Sequence, residues 1–177
     1  MDDTANQDIK TQTEGDYTTI DDSPSAQAIQ QPPKPNPDLK SLDALVGTWK
    51  LSGEAEGYVT YKWMEGGFFL MQEVDIVHSG HEIKGIEIIG HEQEFGAEPS
   101  EDIKSRFYDF SGGMTLDYVY EILVGDDGKE TLMIWGGEKG SPAYYKGVFS
   151  DDGNTCAGDW VYPGGGGYYS SMTRVKT

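Results

Sequence analysis

A succession of short runs rich in β-branched and aromatic residues fills the chain from residue 41 to residue 177, and this pattern constrains the fold most. The runs end at glycine pairs or Asp-Gly turns, as at residues 65–67, 126–128 and 151–153. Short strands joined by tight turns predict an antiparallel meander. Closing the meander removes the exposed sheet edges. The sequence therefore predicts an all-β antiparallel barrel of about eight to ten strands.

Ten runs are assigned as strands, and no segment after residue 46 has helical periodicity. The predicted strands cover residues 48–55, 58–64, 68–77, 82–90, 103–110, 115–124, 130–135, 144–149, 155–162 and 168–175. A single helical turn is predicted just before Gly47, and the first strand carries Trp49. Residues 41–177 are therefore predicted to form the barrel.

Residues 1–40 differ from the rest in composition, because they are rich in Asp, Gln, Thr and Ser. Residues 30–37 read QQPPKPNP, which is typical of a stiff polyproline-type linker. This composition favours a disordered acidic tail. The alternative is a tail that docks over the barrel mouth as a lid and excludes water, with Tyr17, Ile20 and Ile29 as the docking residues.

The charge balance limits the partners of the chain. Thirteen basic residues against 31 acidic residues give a net charge of −18, which argues against nucleic acid and anionic membranes as partners. Cys156 is the single cysteine, so no intrachain disulfide forms, as suits a reducing compartment. Residues 1–20 lack signal-peptide features, and no apolar run approaches the roughly 20 residues of a membrane helix. We therefore expect a cytoplasmic protein, which either is a monomer or forms a homodimer.

The two ends of the predicted barrel carry a recognisable pattern. The sequence LVGTW at residues 45–49 and MTR at residues 172–174 resemble the start and end of lipocalin-like (calycin) barrels. In that pattern an arginine of the last strand packs over the first-strand tryptophan, which implies that Arg174 covers Trp49 and closes the barrel base. Residues 63–70, 85–91 and 144–153 look like a bacterial lipocalin-like family of unknown function, related to the nitrobindin barrels. The resemblance covers roughly residues 40–175 and implies a fold rather than a function.

The resemblance does not extend to a cofactor. Nitrobindin-type barrels bind haem through a histidine late in the chain, whereas the histidines here are His78, His81 and His91. His78 and His81 could supply two metal ligands, with His91 as a third, but a solvated hairpin tip is the interpretation we favour. We therefore predict neither a metal nor another cofactor.

The candidate ligand-binding residues are aromatic side chains on the predicted strands together with one amide. The aromatic residues are Tyr61, Trp63, Tyr118, Tyr120, Trp135, Tyr145, Trp160 and Tyr169. In the third strand Gln72 belongs to the more apolar face, so we predict that it points inward and that Glu73 points outward. For the other strands, alternation leaves both faces open. Buried tyrosine hydroxyls need partners, and an apolar interior with scattered polar tips is typical of a ligand pocket.

These features predict a barrel that binds one hydrophobic small molecule. The most concrete catalytic version is a cyclase, because a small barrel under an N-terminal lid is similar in design to the spiro-forming [4+2] cyclases of polyketide biosynthesis. Such a reaction needs a substrate folded in a dry pocket and a few hydrogen bonds, so no catalytic residue is assigned. The alternative is a non-catalytic carrier or sensor barrel, and a haem-binding barrel is the third hypothesis.

Overall fold

The computed structural model describes residues 32–176, and within them ten antiparallel strands form a closed barrel. The strands are β1 (Gly47–Gly53), β2 (Ala55–Trp63), β3 (Phe69–His78), β4 (His81–Gly90), β5 (Ile103–Asp109), β6 (Thr115–Val124), β7 (Glu130–Gly136), β8 (Tyr144–Phe149), β9 (Thr155–Val161) and β10 (Gly167–Arg174). Each strand pairs with the next along the chain, and β1 pairs with β10. The predicted all-β antiparallel barrel is confirmed. The proposed lid residues Tyr17, Ile20 and Ile29 lie outside the described residues.

The strand bounds match the predicted segments closely except at the first hairpin. The first strand was predicted to run to residue 55, but it ends at Gly53, and β2 begins at Ala55. Gly57 therefore lies inside β2 rather than before it. A Cβ at Gly57 would collide with the carbonyl oxygen of Asp75 on β3, so the glycine marks a close approach of two strands and not a turn.

A 3₁₀ helix at Pro37–Leu45 covers one end of the barrel, which we call the closed end. It begins inside the segment predicted as a linker, because Pro37 suits the first helical position and the side chain of Asn36 accepts the amide of Asp38. Its residues Leu39, Leu42 and Leu45 are buried in the main core cluster. Among the described residues, no helix has the length and apolarity needed to cross a membrane.

The chain closes between its first and last strands, where Trp49 pairs with Arg174. The guanidinium lies over the fully buried indole and donates to the carbonyl oxygens of Val46 and Ala44. Gly47 has a φ of +122°, and a Cβ there would lie 2.8 Å from Nη1 of Arg174. Glycine is therefore required for both backbone conformation and space, and the predicted closing pair is confirmed.

Candidate functional site

The barrel encloses a cavity of about 200 Å³ whose wall is mostly apolar. Its aromatic residues are Tyr61, Phe107, Tyr118, Tyr120, Tyr145, Trp160 and Tyr168, and its polar non-aromatic residues are Gln72, Glu87 and Ser170. The wall extends to Met114, which is 51% exposed in the turn between β5 and β6. Because the meander places this turn at the end opposite to the 3₁₀ helix, the cavity opens there, and we call this the open end.

Six of the nine predicted ligand-binding residues lie in the cavity wall. They are Tyr61, Gln72, Tyr118, Tyr120, Tyr145 and Trp160. The inward face of β6, which alternation left open, is the one with Tyr118 and Tyr120. On β3, Gln72 is buried, whereas Glu73 on the outer face lies 2.9 Å from Nζ of Lys62.

Two tryptophans predicted in the wall lie elsewhere, and their positions are corrected here. Trp63 is at the closed end, where its indole Nε1 donates to Oδ1 of Asp43 in the 3₁₀ helix at 2.7 Å. Trp135 packs with Val119 and Met133 in a separate cluster on the outer face of β6 and β7. Trp135 is buried and Trp63 is partly buried against the main core cluster, so aromatic character alone did not distinguish these packing positions from the cavity wall.

The third correction is Tyr169. Its neighbours Tyr168 and Ser170 line the cavity, so alternation turns Tyr169 outward, and it is 51% exposed. The outward orientation of Tyr169 follows from the period of two along β10, once Arg174 is known to point inward over Trp49. Residues of β10 that are separated from Arg174 by an even number face inward, and Tyr169 is not among them.

Sequence reasoning missed Glu87, the most unusual residue of the site. It lies on β4, is 3% exposed and forms part of the cavity wall. The surrounding isoleucines on both faces of β4 hid its orientation. The signal was in the hairpin: a two-residue turn at Ser79 and Gly80 sets Gln72 opposite Glu87, and opposite residues share a face.

Both carboxylate oxygens of Glu87 accept hydrogen bonds from buried hydroxyls. The Oγ atom of Ser105 donates to Oε1 at 2.5 Å, and the hydroxyl of Tyr120 donates to Oε2 at 2.9 Å. Burial raises the pKa of Glu87 to about 7, although these two hydrogen bonds act in the opposite direction. Glu87 can therefore gain or lose a proton near neutral pH, which is the property of a general acid or base.

A second buried hydrogen bond lies beside this carboxyl. The Nε2 atom of Gln72 donates to the hydroxyl of Tyr61 at 2.7 Å, and the two residues are directly opposite on β2 and β3. Burial first, and then the charge of Glu87, raises the pKa of Tyr61 and of Tyr120, so both phenols stay protonated. We call Tyr61, Gln72, Glu87, Ser105 and Tyr120 the polar belt, because one residue comes from each of the consecutive strands β2 to β6.

The polar belt is internally satisfied. Within residues 32–176, no buried side-chain nitrogen or oxygen lacks a hydrogen-bond partner. The site can therefore hold a polar group of a ligand against fixed donors and acceptors, while the rest of the wall contacts apolar surface.

Cys156 is buried in the core next to the site. Its Sγ lies 4.0 Å from the hydroxyl of Tyr145. Burial raises the pKa of this thiol to about 11, so it is not a ready nucleophile.

The histidines occupy separate positions. The ring of His78 packs against that of Tyr168, with centroids 4.3 Å apart and the planes tilted by 33°. Nε2 of His91 lies 2.9 Å from Oδ1 of Asp38, and Nδ1 lies 2.6 Å from the carbonyl oxygen of Ser100. His91 thereby links the loop after β4 to the first turn of the 3₁₀ helix. In the part of the chain that the structure describes, no three His, Cys, Asp or Glu residues are grouped to hold a metal ion.

Comparison with protein-family models gives no match for this chain, and comparison with curated proteins gives none either.

Proposed function

We propose that the barrel binds one small, mainly apolar molecule, with a polar group of the ligand directed at the polar belt. The observation that carries this proposal is the cavity of about 200 Å³, lined by seven aromatic side chains and open at one end. An apolar cavity of about 150 Å³ is enough for a benzene-sized molecule. The volume therefore favours a ligand of one or two rings.

The fold supports the resemblance to the lipocalin-like family, in which barrels of this shape hold ligands. Two features of the fold support this resemblance: the guanidinium of Arg174 lies over the indole of Trp49, and a helix covers the closed end. The family itself remains part of this proposal, because a barrel architecture is shared by many proteins with different functions.

The catalytic version of the proposal is a cyclisation of the [4+2] type. Glu87 and Tyr120 favour it, because a protonated Glu87, with its pKa of about 7, can donate a hydrogen bond to the oxygen of Tyr120. This frees the phenol O–H to donate to a substrate carbonyl in a water-poor cavity and polarise a conjugated substrate. A cavity of about 200 Å³ limits the substrate to a short chain that carries both a diene and a dienophile. The non-catalytic version is a carrier or sensor, which releases its ligand unchanged.

Binding is tested by titrating the full chain with toluene and following amide and methyl chemical shifts by NMR. Ile76 lines the cavity on β3, whereas the next residue, Val77, is 45% exposed on the outer face. We expect Ile76→Trp to weaken toluene binding at least about tenfold by filling the cavity, and Val77→Trp to leave it unchanged. Equal binding by both variants contradicts a ligand site in the barrel.

The two versions are separated by product analysis. The wild-type chain and Tyr120→Phe are incubated with a short linear diene that carries a carbonyl-activated dienophile. A cyclase gives stereochemically enriched cyclic product, and the variant forms it at least about tenfold more slowly because one hydrogen-bond donor is lost. A carrier leaves the substrate unchanged in both samples.

A further inference from the structure

We infer that the natural ligand of this cavity is a small aromatic or aliphatic amine that binds as its ammonium ion, with its N–H groups donated to Glu87. This inference rests on the proposed function, since it names the chemical class of the molecule that the cavity holds. It follows from the charge of the wall, the free hydrogen-bonding capacity of the carboxylate and the aromatic surroundings.

The charge of the wall has one sign. Among the described residues that line the cavity, Glu87 is the only carboxylic acid, and no lysine, arginine or histidine lines the wall beside it. An isolated buried carboxylate is costly unless a positive charge accompanies it. A cationic ligand supplies that charge, whereas an anionic ligand would add a second negative charge to the same cavity.

The hydrogen-bond arrangement leaves room for a donor from the ligand. A carboxylate has about four acceptor sites, and the hydroxyls of Ser105 and Tyr120 occupy one on each oxygen. Both hydroxyls act as donors here, which is the arrangement that stabilises the ionised form of Glu87. The remaining acceptor sites suit an ammonium group, because it is a donor only.

The aromatic wall supports a cation in a second way. Tyr118, Tyr145 and Tyr168 surround Trp160, with ring centroids 6.0, 5.4 and 6.4 Å from that of its indole. Aromatic faces attract ammonium groups and pack equally well against the apolar body of an arylalkylamine. The net charge of −18 also draws cations toward the molecule as a whole.

The affinity for the amine should depend on pH, because the ammonium ion binds to the ionised form of Glu87. The titratable groups that face this carboxyl are Tyr61 on β2 and Tyr118 and Tyr120 on β6, while β3 and β5 contribute the neutral Gln72 and Ser105. Burial raises the pKa of each of the three phenols, so they remain neutral between about pH 5 and about pH 8.5. Glu87, with its pKa of about 7, is therefore the group in the cavity that changes charge over this range.

The test compares benzylamine with benzyl alcohol, which has nearly the same shape and no charge, by calorimetric titration of the full chain. Wild type, Glu87→Gln and the control Glu73→Gln are measured at about pH 5 and about pH 8.5. Glu73 suits as a control because it is half-exposed on the outer face of β3 and pairs with Lys62.

We expect wild type to bind benzylamine at least about tenfold more tightly than benzyl alcohol at about pH 8.5. Glu87→Gln should lose this preference, and Glu73→Gln should keep it. At about pH 5 only about 1% of Glu87 is ionised, so the wild-type affinity for benzylamine should fall by up to about a hundredfold, while that for benzyl alcohol changes little.

The inference is overturned if wild type binds the alcohol as tightly as the amine, which would indicate a neutral Glu87 that donates to a carbonyl or hydroxyl. It is also overturned if the preference for the amine is the same at both pH values, because amine binding would then not depend on the charge of Glu87. In either case the proposed binding function would stand. Failure of wild type to bind benzylamine, benzyl alcohol and toluene alike would overturn both proposals. The pH comparison needs no variant, so the inference is decided even if Glu87→Gln does not fold.

Discussion

The guanidinium carbon of Arg174 lies 4.1 Å from the centroid of the Trp49 indole, and this contact joins the last strand of the barrel to the first. The indole is fully buried, and its Nε1 donates to the carbonyl oxygen of Leu45 at 2.7 Å. Arg174 also bonds to carbonyl oxygens at the end of the 3₁₀ helix. One side chain therefore stabilises both the closure of the sheet and the position of the helix.

Arg174→Ala should lower the free energy of unfolding by about 3 kcal/mol, because it removes a desolvated cation–π contact and leaves carbonyl oxygens without their donor. Urea denaturation followed by tryptophan fluorescence measures the change. Arg106→Ala is the matched control, since Arg106 forms an exposed ion pair with Asp117 on the outer face and should cost far less. Similar losses for the two variants would contradict the closing role of Arg174.

Glu87 should make the barrel less stable as pH rises from about 4.5 to about 7. Its pKa is about 7 in the folded protein and near 4.5 in the unfolded chain, so the folded state binds more protons in this window. The free energy of unfolding of wild type relative to Glu87→Gln should therefore fall by about 3 kcal/mol across the window and stay level above it. Chemical denaturation of both proteins at several pH values measures this difference, and a flat difference would show that Glu87 ionises normally.

Tyr61→Phe should cost about 1–2 kcal/mol, because Gln72 loses the acceptor for its buried amide. Gln72→Leu should cost less in the Tyr61→Phe background than in wild type, since the unsatisfied amide is then removed. A double-mutant cycle by urea denaturation measures the coupling, which we expect to be about 1 kcal/mol. Additive effects would mean that the two side chains do not stabilise each other.

Cys156 should resist thiol reagents in the folded protein. It is fully buried, and burial raises the pKa of its thiol to about 11, so very little thiolate is present at neutral pH. Labelling with a chromogenic disulfide should be at least about a hundredfold slower in buffer than in denaturant. Rapid labelling without denaturant would indicate that the strands near Cys156 open readily.

The fold was predictable because each strand is a local pattern of β-branched and aromatic residues ended by a turn. The positions of Trp135 and Tyr169 were not, because they depend on which face of each strand meets the cavity, and this follows from register across the whole barrel. Trp63 is on the same face of β2 as Tyr61, but it lies at the end of the strand beside the 3₁₀ helix and not along the cavity. The orientation of Glu87 could not be predicted for the same reason as those of Trp135 and Tyr169. A carboxylate between isoleucines is typical of a solvated face, and only the register that sets Glu87 opposite the inward-facing Gln72 identifies it as inward-facing.

One glycine behind the wall controls the room inside it. A Cβ at Gly147 would lie 2.6 Å from a ring carbon of Tyr145. With any larger residue, the ring would have to move away from its strand and into the space that it lines. The size of molecule that this barrel accepts is therefore set partly at a position that no ligand touches, and alanine at Gly147 would narrow its selectivity while leaving the chemistry of the polar belt intact.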